Sequence, residues 1–212
     1  MADLEFFFDP VCPWAWITSR WVEEVRSQRN YDVRWRFISL KILNANNTAE
    51  WYSPEYKHMH AMGHEALRIA AHLDAVEGNA AVGRFYAAVG TEGHTKGRRD
   101  DFMARTDEFF AEMLTIAGLD SSIVAVSKNG SLDARIADDT EVALSRAGRD
   151  VGTPILTFHP GAADEGSFFG PVIARIPRGA EALRLWDAVE TVATTPGVAE
   201  LKRSLRDHPN FS

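Results

Sequence analysis

A single cysteine bounds the chemistry open to this chain. Cys12 stands in "FFFDPVCPWAWITSRW", residues 6–21, and is followed by Pro13, Trp14 and Ala15. A dithiol redox site would read Cys-x-x-Cys, and Ala15 fills the place of the second sulfur. Cys12 therefore cannot close an internal disulfide. What remains is monothiol chemistry: attack on a disulfide, or oxidation to a sulfenic acid, each resolved by an external thiol. A lone cysteine is commonly just a small buried hydrophobe. The functional reading rests on its place at the start of a helix, whose unpaired N–H groups and positive dipole end favour thiolate over thiol. Pro13 suits the first helical position, where its missing N–H costs nothing. Trp14, beside the sulfur, is a candidate wall for a flat substrate or for the sugar rings of a thiol, the alternative being plain packing.

Other chemistry-bearing residues give weaker patterns. His58, His60, His64 and His72 lie close together, and His60 and His64 share a helix face. No third ligand has diagnostic spacing, and "GHEAL" is not His-Glu-x-x-His, so no metal is expected. His94 lies in the glycine-rich "GTEGHTKGRR" and is a candidate for covering a cleft from a loop. Lys96, Arg98 and Arg99 beside it suit either steering of an anionic ligand or a solvated basic loop. No G-x-G-x-x-G or Walker pattern occurs.

The elements that must position Cys12 can be read from periodicity. Residues 4–8, with three consecutive phenylalanines before Asp9-Pro10, suit a strand buried on both faces. From Pro13 to about Gln28, Trp14, Ile17, Trp21, Val22 and Val25 recur at helical spacing, with Trp14 and Trp21 sharing a face more readily than Trp16 joins them. Residues 31–40 alternate as a second strand, so Cys12 falls at the strand–helix junction of a βαβ unit. Strand signals then vanish. Segments 54–76, 79–90, 100–117, 120–128 and 131–148 have helical spacing, broken at Gly78, at 89–97, at Gly118 and at 129–130, with Ser131 as the cap of the last helix. Residues 151–160 and 166–172 read as a β-hairpin, and 178–193 as a closing helix.

This order, βαβ, a helical block, ββ and α, is that of a thioredoxin-like α/β fold with a large all-helical insertion. The expected division is 1–48 and 150–212 for the thioredoxin-like domain and 49–149 for the insertion. With Cys-Pro-aromatic at a helix start and Thr153-Pro154 opening the strand after the insertion, the sequence resembles the DsbA-like branch of the thioredoxin superfamily. Within it, "FDPVCPWAWITSRW", "SLKILNANN", "DVGTPIL" and "FFGPVIARIPRG" look similar to the actinobacterial group typified by the mycothiol-dependent nitroreductase, with CPWA where that group has CPWC. The resemblance implies a cis Thr153–Pro154 bond across from Cys12, with the Thr153 backbone docking a bound thiol. It also implies pocket roles for Asn44 and Tyr56. Against these stand a cap or turn role for Asn44 and a plain helix-surface role for Tyr56.

The implied activity is a thiol-dependent oxidoreductase acting on a small molecule or a low-molecular-weight disulfide. Mycothiol, or glutathione, would be the co-substrate, and no tightly bound cofactor is expected. Kappa-class glutathione transferases and hydroxychromene-carboxylate isomerases of the same superfamily use a bound thiol without redox cycling, and are the alternative reading together with a non-catalytic binding protein. Composition agrees. The 212 residues carry a net charge of −7 with no long basic run, which argues against nucleic acid or an anionic membrane. No apolar run reaches the roughly 18 residues of a membrane span. The N-terminus lacks the basic region of a signal peptide, and one cysteine needs no oxidising compartment, so a cytoplasmic monomer or homodimer is expected.

Overall fold

The computed structural model describes residues 2–211. The triple phenylalanine lies in β1 (Leu4–Phe8), buried along its length because both faces of the sheet are covered. β1 pairs in parallel with β2 (Val33–Phe37), Phe6 opposite Trp35, and antiparallel with β3 (Ile155–Phe158). β3 pairs antiparallel with β4 (Gly166–Phe169), giving the strand order β2-β1-β3-β4.

Helix α1 (Pro13–Arg26) joins β1 to β2, and α8 (Gly179–Thr194) follows β4. The two helices lock through Trp21 and Trp186, whose rings lie 5.4 Å apart, while the Trp21 indole N–H donates to the Ala182 carbonyl at 3.0 Å. This is the thioredoxin-like frame. Between β2 and β3 run α2 (Leu40–Leu43), α3 (Pro54–Val76), α4 (Asn79–Gly90), α5 (Arg99–Ala104), α6 (Thr106–Ile116) and α7 (Asp133–Ala147), with 3-10 turns at Ser121–Lys128 and Gly130–Leu132. Ser53 caps α3, its hydroxyl accepting from the Tyr56 N–H, and Pro54 opens it.

The helical block seats on the sheet through α4. Tyr86 stacks on Phe8 at 3.9 Å and meets Trp35 and Trp16 edge-on. Trp16 is therefore as buried as Trp21, but on the opposite flank of α1. The spacing argument missed it because α1 is covered on two sides, and a helix so placed has no single apolar stripe. A second anchor is ionic. Arg36 of β2 donates to Glu5 at 3.0 Å and to Asp139 of α7 at 2.5 Å, while Arg146 reaches Glu5 at 2.6 Å.

Several expected boundaries differ. The helix expected over 100–117 is two, broken at Arg105, whose φ of −137° and ψ of 55° are not helical. Arginine is a good helix former, so nothing local announced the break. The break expected over 89–97 is a continuation: α4 runs into a π-helical turn, Thr91–Thr95, closed by Lys96 N–H to Thr91 O at 2.9 Å. The segment expected helical over 120–128 is 3-10. Ser131 does not cap α7; the Asn129 side chain accepts from the Ser131 N–H, and α7 starts two residues later without a side-chain cap. Among the described residues, no helix is long and apolar enough to cross a membrane.

Candidate active site around Cys12

After β1 the chain turns sharply, the Cys12 N–H donating to the Asp9 carbonyl at 3.1 Å. Cys12 is the N-cap of α1, extended at φ −80° and ψ 113°, with Pro13 as the first helical residue. Its Sγ accepts from the Ala15 N–H at 3.5 Å and donates its own proton to the Thr153 carbonyl at 3.4 Å. Thr153 is fixed in turn, its hydroxyl donating to Phe7 O at 3.2 Å, and the Thr153–Pro154 bond is cis. The structure thus brings Cys12, Pro13, Thr153 and Pro154 together from segments more than 140 residues apart.

The ionisation of Cys12 departs from expectation. The side chain is only 5% exposed. Burial pushes the thiol up to about 12, against the pull of the Ala15 and Trp14 N–H groups, and the nearby Asp9 adds to the rise. A helix N-terminus by itself favours the thiolate. In this closed arrangement the loss of water outweighs it, and Cys12 is a thiol.

Asp9, a strand stop by sequence, organises the site. Its carboxyl is fully buried, Oδ1 accepting from Val11 N–H at 3.1 Å and Oδ2 from Leu40 N–H at 2.8 Å. It thereby ties the Cys12 turn to the start of α2. Burial pushes it up to about 7 in spite of those two bonds. Gly63 of α3 makes room for it, since a Cβ there would overlap Oδ1. An acidic residue three positions before a helix-capping cysteine is the signal that could have found it.

Trp14 is half-buried beside the sulfur and packs on the core. His94 does come to the site, but as a brace behind the Cys12 turn. Its Nε2–H donates to Pro10 O at 2.9 Å, and its ring lies near-parallel to Trp16 at 6.3 Å, with Phe211 on its other side at 5.8 Å. Burial holds its pKa below the ordinary histidine value. The basic cluster that follows is ion-paired: Lys96 with Glu92, Arg98 with Glu92, Asp101 and Glu112, and Arg99 with Glu55.

Asn44 and Tyr56 make local contacts. The Asn44 amide folds back on its own turn, donating to Leu40 O at 2.9 Å and accepting from Asn47 at 2.8 Å. Tyr56 is 43% exposed and rests edge-on against Trp51 and His60. Two of the helix histidines are bound internally. His64 meets Ser39 at 2.9 Å and Asp133 at 3.1 Å, and His60 meets Tyr52 at 3.2 Å, with burial taking His60 down to about 4. Among the described residues, no group of three or more His, Cys, Asp or Glu could hold a metal ion.

With this geometry in place, known proteins bear on it. The sequence profile of the family described as Rv2466c-like, mycothiol-dependent nitroreductase Rv2466c, matches residues 11–203. The uncharacterized protein Rv2286c of Mycobacterium tuberculosis (strain ATCC 25618 / H37Rv) is 32% identical over 209 residues, spanning 96% of this chain and 82% of that protein. Among solved structures, the probable DsbA oxidoreductase SCO1869 of Streptomyces coelicolor superposes with a TM-score of 0.55 at 16% identity, covering 98% of this chain and 94% of that one. A Nitrosomonas europaea protein suggested to be a protein disulfide isomerase gives a TM-score of 0.53 at 17% identity, covering 88% and 95%. At such identities these structures establish the shared DsbA-like fold.

Proposed function

The chain belongs to the Rv2466c-like family, described by its mycothiol-dependent nitroreductase, and on that premise we propose a thiol-dependent oxidoreductase working through one protein sulfur. The observation that carries the reading is Cys12 at the cap of α1, with Ala15 N–H behind its sulfur and the Thr153 carbonyl in front. In the reaction, Cys12 thiolate attacks one sulfur of a low-molecular-weight disulfide. A Cys12 mixed disulfide forms and the other half leaves as thiolate. Mycothiol, as thiolate, then attacks the mixed disulfide, forms a new small disulfide, and returns the Cys12 thiolate, which takes up a proton. Ala15 leaves no internal sulfur to compete with that second step. For a nitro group the same balance gives two electrons and two protons from Cys12 and one mycothiol, leaving a nitroso product, water and the mixed disulfide.

Ionisation needs water at the sulfur. When the site opens, the desolvation that holds Cys12 protonated is relieved, while the Ala15 and Trp14 N–H groups remain to stabilise the thiolate. Closed, Cys12 is an S–H donor. That observation favours a second reading, in which the S–H donates to the thiolate of a bound thiol in a transferase or isomerase, with no redox change.

Mass spectrometry separates the two. Oxidised mycothiol is expected to add to Cys12 as one mixed disulfide, released by a further equivalent of thiol. Failure to form the adduct, with thiol binding intact, would sink the redox reading in favour of the second.

A further inference from the structure

Arg20 follows Cys12 and Trp16 at four-residue steps along α1, one turn beyond the tryptophan. Its guanidinium sits 4.2 Å over the Trp16 ring, and its Nε donates to the Ser19 hydroxyl at 3.2 Å. Most arginines of this chain pair with a carboxylate; half-buried Arg20 has none within ion-pair distance among the described residues. Glu23, one turn on, forms its ion pair with Arg26 instead, at 2.7 Å. Beside Arg20 lies the Tyr86 hydroxyl, fully buried and set against the Ser19 hydroxyl without a hydrogen bond of ordinary geometry.

The indole face attracts the guanidinium but takes none of its in-plane N–H bonds, so those donors stay available, while the buried Tyr86 hydroxyl is incompletely paired. An anion arriving at Arg20 would pair those free N–H groups. The ring contact restrains the guanidinium on one side and leaves its planar fork for a bidentate carboxylate or phosphate. Trp16 is itself held, its indole N–H donating to Thr95 at 3.1 Å and its ring lying where a Cβ on Gly90 would fall.

We propose that Arg20 seats the anionic group, a carboxylate or phosphate, of the small molecule that reacts at Cys12. The proposal rests on the monothiol reading above and gives it a substrate class. Arg20 lies eight residues along the helix from the sulfur, which at about 1.5 Å per residue is roughly 12 Å. The substrate would therefore be extended, with its reactive sulfur or nitro group and its acid at opposite ends.

The test compares two forms of one disulfide: oxidised glutathione, which carries free carboxylates, and its ethyl ester, in which they are masked. The wild-type chain is expected to form the Cys12 adduct about ten-fold faster with the free acid. Arg20→Met is expected to abolish that preference while leaving the ester rate, and alkylation of Cys12 by neutral iodoacetamide, unchanged. Equal rates for acid and ester in the wild-type chain, or an equal loss for both in Arg20→Met, would overturn the proposal.

A second measurement is independent of thiol chemistry: calorimetric titration of Cys12→Ser with pyrophosphate. Binding that disappears in Cys12→Ser/Arg20→Met supports the subsite even where Cys12 forms no adduct, which would count against the redox reading alone. No binding beyond that of the double variant counts against the subsite.

Discussion

Two buried polar clusters flank β1, and they are built on opposite principles. At Glu5 the charges are matched: Arg36 takes both Glu5 and Asp139, Arg146 takes Glu5, and Asp139 also accepts the Phe37 N–H. Only Arg36 Nε lacks a partner. Just past the other end of β1, the polar groups are not matched to one another. Asp9 is held by backbone N–H groups alone, Cys12 is kept protonated, Tyr86 has no hydrogen bond, and Arg20 has no carboxylate. The first cluster has little to gain from anything outside the chain. The second keeps groups whose ionisation and pairing are unresolved by the fold, as expected where ligands and protons are exchanged.

The sharpest way to break the comparison is at the sulfur. Cys12→Ser is close to isosteric, so the fold is expected to persist while adduct formation with any disulfide falls to background, read by mass spectrometry on the intact protein. Next in size is the matched cluster. Asp139→Ala leaves Arg36 short of a buried partner and is expected to cost about 3 to 5 kcal/mol in urea unfolding. Its Cys12 alkylation rate in native buffer is expected to be unchanged. A changed rate with an intact fold would show that the clusters are coupled and that the contrast is false.

Asp9 sets a pH dependence. Its folded pKa is about 7 against an ordinary 3.8, so between those values the folded chain holds a proton that the unfolded chain has released. Stability from this group is full below about pH 4 and falls as pH rises towards about 7, by roughly 4 kcal/mol in all. His60, lowered to about 4 from 6.5, works in the opposite sense over much of that range, because it must shed its proton to fold. Buried His64 and His94, also held below the ordinary histidine value, act in the same sense as His60, so Asp9 is isolated by difference. Relative to wild type, Asp9→Asn is expected to gain stability with rising pH from about 4 to about 7; parallel curves would mean that Asp9 is not protonated in the fold. Smallest of all is Tyr86→Phe. Removing a buried hydroxyl with no partner is expected to leave stability unchanged or raise it by about 1 kcal/mol. A loss of more than that by thermal unfolding would mean the hydroxyl is paired in solution.

The residues divide by how local their signals are. β1, α1, α3, α4 and α8 were legible because triple Phe, proline at the first helical position and apolar spacing act within a few residues. Thr153-Pro154 was legible as a motif. Asp9 was not, since an aspartate before a proline reads as a turn, and only packing against α2 and α3 encloses it. Arg20 was passed over because a helix-surface arginine ordinarily finds a carboxylate. The roles of Asn44, Tyr56 and His94 turned on which way each side chain points, which spacing does not specify.

By itself, then, the sequence determined the order of elements, the thioredoxin-like frame with its helical insertion, and the limit to one sulfur at the cap of α1. These follow from covalent identity and short-range periodicity. The tertiary structure alone decided the charge state of that sulfur, the protonation of Asp9 and the absence of an anion beside Arg20. Each of those depends on how much water the surrounding helices remove, a quantity summed over neighbours that are distant along the chain.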